Sequence, residues 1–183
     1  MISEKLHDAI VFAAQKHGRQ VRKGTGIPYI THPMAACKNL TEWGVDDDIA
    51  IAGILHDTLE DTDTTYDELV SRFGKRVADM VAFCSETKAD DWRTRKQHTI
   101  DLIRTSDDWG AMTVSLADKL ANLTDIYTQC ETDGFWSRFN KPKADVGWYY
   151  GGLIDAFRSK HYPLFDKILP ALEKMHRAIW GAD

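Results

Sequence analysis

Apolar residues recur every three to four positions along most of the chain, and breaks rich in Gly, Pro or Asp separate the stretches that carry this period. Leu6, Ala9, Ile10, Ala13 and Ala14 make one face of a first helix that Ser3 can cap and Gly18 can stop. From Arg19 to Thr31 the period is lost; this loop carries Arg19, Arg22, Lys23, Gly24 and Gly26 and closes on Pro28-Tyr29-Ile30. A second helix starts at Thr31-His32-Pro33, with Pro tolerated in the first turn, and runs to about Trp43-Gly44. Asp46 or Asp47 caps the next, which carries Ile49, Ala50, Ala52, Gly53, Ile54 and Leu55 before turning polar at His56-Asp57.

Thr65-Tyr66-Asp67-Glu68 has capping-box spacing and opens a short helix that Gly74 ends; another covers roughly Lys75 to Glu86. Trp92 to Arg104 is amphipathic and cationic, and Ser106-Asp107-Asp108 caps a long helix from about Trp109 to Cys130. Thr132 to Lys143 is polar and reads as a flexible excursion. Two helices follow, about Ala144 to Ser159 and Pro163 to Trp180; the second shows Leu164, Ile168, Leu172, Met175 and Ile179 at helical spacing, with a kink expected at Pro170. No alternating strand pattern, internal repeat or low-complexity tract interrupts this reading. The pattern predicts an all-α protein, a bundle of roughly eight or nine helices.

Composition narrows the picture. A chain of 183 residues suits one domain spanning 1–183. No apolar run approaches the ~20 residues of a membrane span, and no secretory signal precedes the first helix, so the cytoplasm is the expected compartment and no membrane role is expected. Cys37, Cys84 and Cys130 are odd in number and set among apolar neighbours, which suits buried free thiols. A net charge of -5 argues against a nucleic-acid partner, while a small polyanionic ligand needs only a few local cations. Oligomeric state leaves no mark on the sequence.

The chemistry concentrates in His56-Asp57-Thr58-Leu59-Glu60-Asp61. On a helix, positions 56, 57, 60 and 61 share one side, so an imidazole and three carboxyl groups converge. Such crowding calls for a metal or a basic side chain; otherwise the segment is an acidic helix end fraying into water, against the macrodipole. In Val114 to Leu123, apolar enough to be buried, Asp118 and Asn122 sit one turn apart. A buried Asp118 must meet a metal, several donors or a structural partner such as Lys119 or an Arg. His32, at a helix start after the cationic loop, reads alone as a hydrogen-bonded structural histidine. Together His32, His56, Asp57 and Asp118 supply two imidazoles and two carboxylates, a set suited to Mn²⁺, Fe²⁺ or Zn²⁺.

One His-Asp pair flanked by a distant histidine and a distant aspartate resembles the pattern of the HD superfamily of metal-dependent phosphohydrolases. Gly18-Arg19-Gln20-Val21-Arg22-Lys23 followed by Pro28-Tyr29-Ile30-Thr31-His32-Pro33 is similar to the Arg-Lys loop and ligand turn of RelA/SpoT hydrolases. His56 to Asp61 and Leu116 to Leu123 are similar to two further motifs of that family. The fit over roughly residues 1–160 resembles the small stand-alone alarmone hydrolases, the metazoan SpoT homologues among them.

The resemblance implies an HD helical bundle that removes the 3′-pyrophosphate of guanosine tetra- or pentaphosphate with one metal ion, here taken as Mn²⁺. It places Glu60 and Asp61 to handle the attacking water, Arg22 and Lys23 on phosphate, and Asn122 on ribose or phosphate. Arg93, Arg95 and Lys96 are either a second phosphate contact or a solvated face, and Trp148, Tyr149 and Tyr150 read as core. Removal of the 2′-phosphate of NADPH, hydrolysis of an adenosine alarmone, and a non-catalytic nucleotide-binding module stand as alternatives. The loop between Lys23 and Pro28, and Ala121, Thr124 and Asp125, depart from the bifunctional enzymes and leave base recognition less defined than metal binding.

Overall fold

The computed structural model describes residues 2–86 and 91–181, and among them all regular secondary structure is helical. In chain order the helices are α1 (Glu4–His17), α2 (Thr31–Glu42), α3 (Asp47–Leu55), α4 (Thr58–Asp61), α5 (Tyr66–Phe73), α6 (Lys75–Cys84), α7 (Trp92–Thr105), α8 (Trp109–Gln129), α9 (Lys143–Arg158) and α10 (Pro163–Trp180), with a 3-10 turn at Phe135–Arg138. The single turn α4 aside, this is the all-α bundle that the periodicity predicts. The chain groups into two compact units, one taking the residues up to Glu86 with Asp108–Ala121, the other taking the rest.

In the first unit the helix ends follow local chemistry. Ser3 Oγ accepts from the Leu6 N–H, Asp46 Oδ1 from Ile49 and Thr65 Oγ1 from Glu68, each satisfying a donor that the helix cannot. Gly18 and Gly74 terminate α1 and α5 at φ 46° and 95°, where a side chain would be strained. α3 is the central element, packed against α1, α2 and α6. Ile51, Ile54 and Leu55 are fully buried. Burying each contributes about 1.5–3 kcal/mol. Gly53 sets how near α2 can come, since a Cβ there would run into Leu40 on α2.

The second unit departs from expectation in two places. The segment 132–143 is anchored: Phe135 is buried and packs on Trp136 and Phe139, each at 5.3 Å between ring centres. In α10 the buried side chains are Phe165, Leu169, Leu172 and Ile179, whereas Leu164, Ile168 and Met175 of the expected stripe are only half-buried. The helix runs unbroken through Pro170. All three cysteines are free, Cys37 buried and the others half-buried. No described helix is long and apolar enough to cross a membrane.

Candidate metal centre

The centre forms where α3 ends. His56 Nδ1–H donates to Gly53 O at 2.8 Å and Thr58 Oγ1–H to Leu55 O at 2.7 Å, so side chains take the last carbonyls of the helix. The chain turns at His56-Asp57 before α4 begins. Both residues stay near helical φ and ψ, and Asp57 and Asp61, one turn apart, reach the same Tyr29 hydroxyl, as the shared side of a helix predicts. The bond from Nδ1 also leaves His56 Nε2 as the face available to a ligand.

That nitrogen meets His32, delivered by the first turn of α2, at an Nε2–Nε2 separation of 3.2 Å. Asp118 of α8 closes the group, its Oδ1 lying 3.0 Å from His32 Nε2 and 3.5 Å from His56 Nε2. Asp57 approaches with both oxygens, Oδ1 at 3.2 Å from His56 and Oδ2 at 3.5 Å from His32. His32, His56 and Asp118 are buried and offer ligand atoms all within 4.8 Å of one another. Two ring nitrogens and carboxylate oxygens converging this closely out of water need positive charge between them. A divalent cation with nitrogen and oxygen ligands fits that need.

Without a cation, the charges of the group itself hold it together. Burial alone would lower the pKa of His56, but the Asp57 and Asp118 carboxylates outweigh it and hold the pKa well above the ordinary range. Burial pushes Asp118 up, yet Lys119 and the two histidines hold its carboxyl well below the usual range, and the histidines do the same for Asp57. Lys119 Nζ donates to Asp118 Oδ2 at 2.6 Å, so the structural pair and the histidine-facing arrangement coexist, one on each carboxylate oxygen.

Around this centre stand residues that motif reading left without roles. Tyr29 OH donates to Asp57 Oδ2 at 2.8 Å and lies 3.1 Å from Asp61 Oδ2. Burial first, then these carboxylates, push the Tyr29 phenol far upward, keeping it a neutral donor. Gln20 Nε2 donates to the Asp61 carbonyl at 2.6 Å, and buried His17 holds Gln20 through a 2.9 Å bond. Local sequence signals neither contact; both depend on the loop before α2 folding back on α4.

Of the acidic pair, Asp61 is exposed and tied to Tyr29, while Glu60 is half-buried, with Oε2 accepting from the Glu86 N–H at 3.0 Å. Burial, reinforced by Glu86, Asp61 and Asp57 charges, raises the Glu60 pKa against that bond. Arg22 lies over the Tyr29 ring at 5.9 Å, and Lys23 is exposed on the same loop. Asn122, four positions after Asp118 on α8, falls in the second unit, as do Arg93, Arg95 and Lys96. There Arg93 stacks on Trp148 at 3.9 Å and Lys96 on Tyr149 at 5.0 Å, while Tyr149 and Tyr150 are buried as core.

The pattern of the HD domain matches residues 9–134, more than half the chain and including every residue of the cluster. The chain belongs to the HD domain family. Within it, the chain is 42% identical over 136 residues to the human guanosine-3′,5′-bis(diphosphate) 3′-pyrophosphohydrolase MESH1, covering 73% of this chain and 74% of that protein. It is 39% identical over 127 residues to the Aquifex aeolicus enzyme of the same activity, covering 68% of this chain but 18% of that much longer protein. The HD fold extends beyond the matched segment: a metazoan ortholog of SpoT that hydrolyzes ppGpp superposes with a TM-score of 0.82 at 26% identity, over 98% of both chains. A Listeria monocytogenes protein superposes with a TM-score of 0.76 at 31% identity, over 86% of this chain and 99% of its own.

Proposed function

We propose that this HD domain chain hydrolyses guanosine tetra- and pentaphosphate at the 3′-pyrophosphate, yielding GDP or GTP and pyrophosphate, and that residues 1–183 act as a single phosphohydrolase domain. The reading rests on the His32, His56 and Asp118 cluster, ligand atoms within 4.8 Å, in a chain 42% identical to a guanosine-3′,5′-bis(diphosphate) 3′-pyrophosphohydrolase.

His32, His56, Asp57 and Asp118 would hold one divalent ion, Mn²⁺ in this reading and Fe²⁺ or Zn²⁺ as substitutes. When bound, such an ion supplies Lewis acidity and lowers the pKa of a coordinated water. The protein does the rest. Asp61, exposed beside the cluster, orients the attacking water and accepts its proton. Glu60, whose pKa burial raises, stands beside Asp61 to take up that proton and pass it on. Arg22 and Lys23 neutralise charge on the pyrophosphoryl group as its bond to the ribose 3′-oxygen breaks and water takes that oxygen's place, the Arg fork matching phosphate oxygens. Asn122 hydrogen-bonds the ribose or the phosphate edge.

The test is a substrate panel with product identification. Mn²⁺-loaded protein should convert guanosine tetraphosphate to GDP and pyrophosphate faster than it acts on its adenosine analogue or on NADPH. Turnover of NADPH alone would overturn the substrate assignment.

A further inference from the structure

The loop between α1 and α2 is a closed strap. Val21 and Pro28 form an antiparallel bridge, Arg22 N–H donates to Ile27 O at 2.8 Å, and Tyr29 N–H donates to Gln20 O at 2.8 Å. Gln20 and Tyr29 therefore stand opposite each other at the base of the strap, and Arg22 and Lys23 ride toward its tip.

Both base residues reach the same turn. Gln20 Nε2 donates to the main-chain carbonyl of Asp61 at 2.6 Å, and the Tyr29 hydroxyl lies 3.1 Å from the side chain of Asp61. That hydroxyl is also 2.8 Å from Asp57 Oδ2. Neither partner is loose: the Gln20 amide is oriented by the buried His17 at 2.9 Å, and the Tyr29 ring packs on the His17 ring at 4.9 Å between centres.

We propose that Tyr29 and Gln20 are positioning residues for hydrolysis. The Tyr29 hydroxyl, donating to Asp57 Oδ2 at 2.8 Å with Asp61 Oδ2 at 3.1 Å, holds the Asp57 carboxylate in place beside Asp61, and the Gln20 amide fixes the main chain that carries Asp61. This rests on the metal-dependent hydrolase reading above. A carboxylate without such a tether rotates about χ1 and χ2, and a misplacement of about 1 Å costs on the order of 10²-fold in rate. Hydrogen bonds to a ligating carboxylate also set how well it binds, typically about 10- to 100-fold in metal affinity or activity. Because the strap carries Arg22 and Lys23 as well, the residues assigned to phosphate are linked through its hydrogen bonds to the one assigned to water.

Tyr29→Phe, Gln20→Leu and the double variant test the proposal, with Mn²⁺ affinity measured by calorimetry without substrate and kcat and KM measured with guanosine tetraphosphate. Tyr29→Phe keeps the ring packing; it should lose about tenfold or more in both Mn²⁺ affinity and kcat, with KM within about threefold. Gln20→Leu should lower kcat by a similar factor with Mn²⁺ affinity unchanged, because its bond goes to Asp61 and not to Asp57. In the double variant the kcat loss should be smaller than the product of the single losses, since both act on one turn.

Unchanged kcat and affinity in both single variants, a loss confined to KM, or fully multiplicative losses would overturn the proposal. Should Tyr29→Phe fail to fold, Gln20→Leu decides: lower kcat at unchanged affinity supports the role, and unchanged kcat refutes it. Should the wild type leave guanosine tetraphosphate intact, the hydrolase reading fails by itself. The Mn²⁺ titration then still decides the tether, weaker binding in Tyr29→Phe supporting it and equal binding refuting it.

Discussion

At its N-terminal end α3 begins with Asp46, Asp47 and Asp48; just past its C-terminal end come His56, Asp57, Glu60 and Asp61. The first cluster is held by ordinary means. Asp46 caps the helix, the macrodipole favours all three charges, and Arg76 and Lys5 pair with Asp46 and Asp48 at 2.7–3.3 Å in exposed positions. The second lies at the end where the macrodipole opposes carboxylates, and its aspartates face histidines. Similar residues at two ends of one helix thus carry different burdens: the first is complete with its own cations, whereas the second is arranged about a point where a cation belongs. Position relative to the helix, and not acidity, separates a structural cluster from a candidate site.

The largest effect should come from removing a cluster residue. His56→Ala or Asp118→Ala should abolish both Mn²⁺ binding in calorimetry and turnover, and retention of either would break the contrast between the two ends. Next in size, Glu60→Ala with Asp61→Ala should cost about 10²- to 10⁴-fold in kcat while Mn²⁺ affinity persists, as expected of groups that handle protons. Unchanged kcat would remove their assigned role. Chelation of the metal should lower stability by about 2.7 kcal/mol relative to protein at a hundredfold excess of metal over Kd, read from denaturant unfolding. An equal stability with and without metal would mean that the folded chain holds no ion in preference to the unfolded chain.

The smallest effects belong to the N-terminal end. Asp46→Ala should cost about 1 kcal/mol through the lost cap and leave turnover and metal affinity unaltered. The Arg76 guanidinium holds the Asp46 carboxyl below its usual range. Its contribution is therefore present above the unfolded pKa near 4 and lost as pH falls through the lower folded value. Solvent screening limits that contribution to about 0.5 kcal/mol, so the acid limb of wild-type and Asp46→Ala unfolding curves should converge only slightly. A change in turnover in this variant would show the two ends to be coupled.

What could be read from the chain follows from how local each signal is. Caps at Ser3 and Thr65 are one-turn contacts that stand where their spacing predicts, and of the two candidates Asp46 and Asp47 it is Asp46 that caps. The period of α10 located the helix but rotated its buried face, because Phe165 and Leu169 compete with Leu164 and Ile168 for the same side and packing chooses among them. The anchoring of 132–143 was hidden because its polar composition outweighs the single buried Phe135. At the centre, residue types and chain order pointed to His32, His56, Asp57 and Asp118, and the four come together. The turn at His56 was not legible, since it depends on side chains taking the last carbonyls of α3. Nor was the double use of Asp118, or the reach of Gln20 and Tyr29 to α4, because each needs a partner more than one helix away.

The central claim is that one divalent ion is held by two imidazoles and two carboxylates from α2, the α3–α4 turn and α8. A crystal of the Mn²⁺-loaded protein, with data collected to reveal the metal's anomalous scattering, tests it most directly. The account predicts a single peak in direct contact with Nε2 of His32, Nε2 of His56 and oxygens of Asp57 and Asp118. A peak held by other residues, or none at this position in protein that turns over substrate, would contradict it.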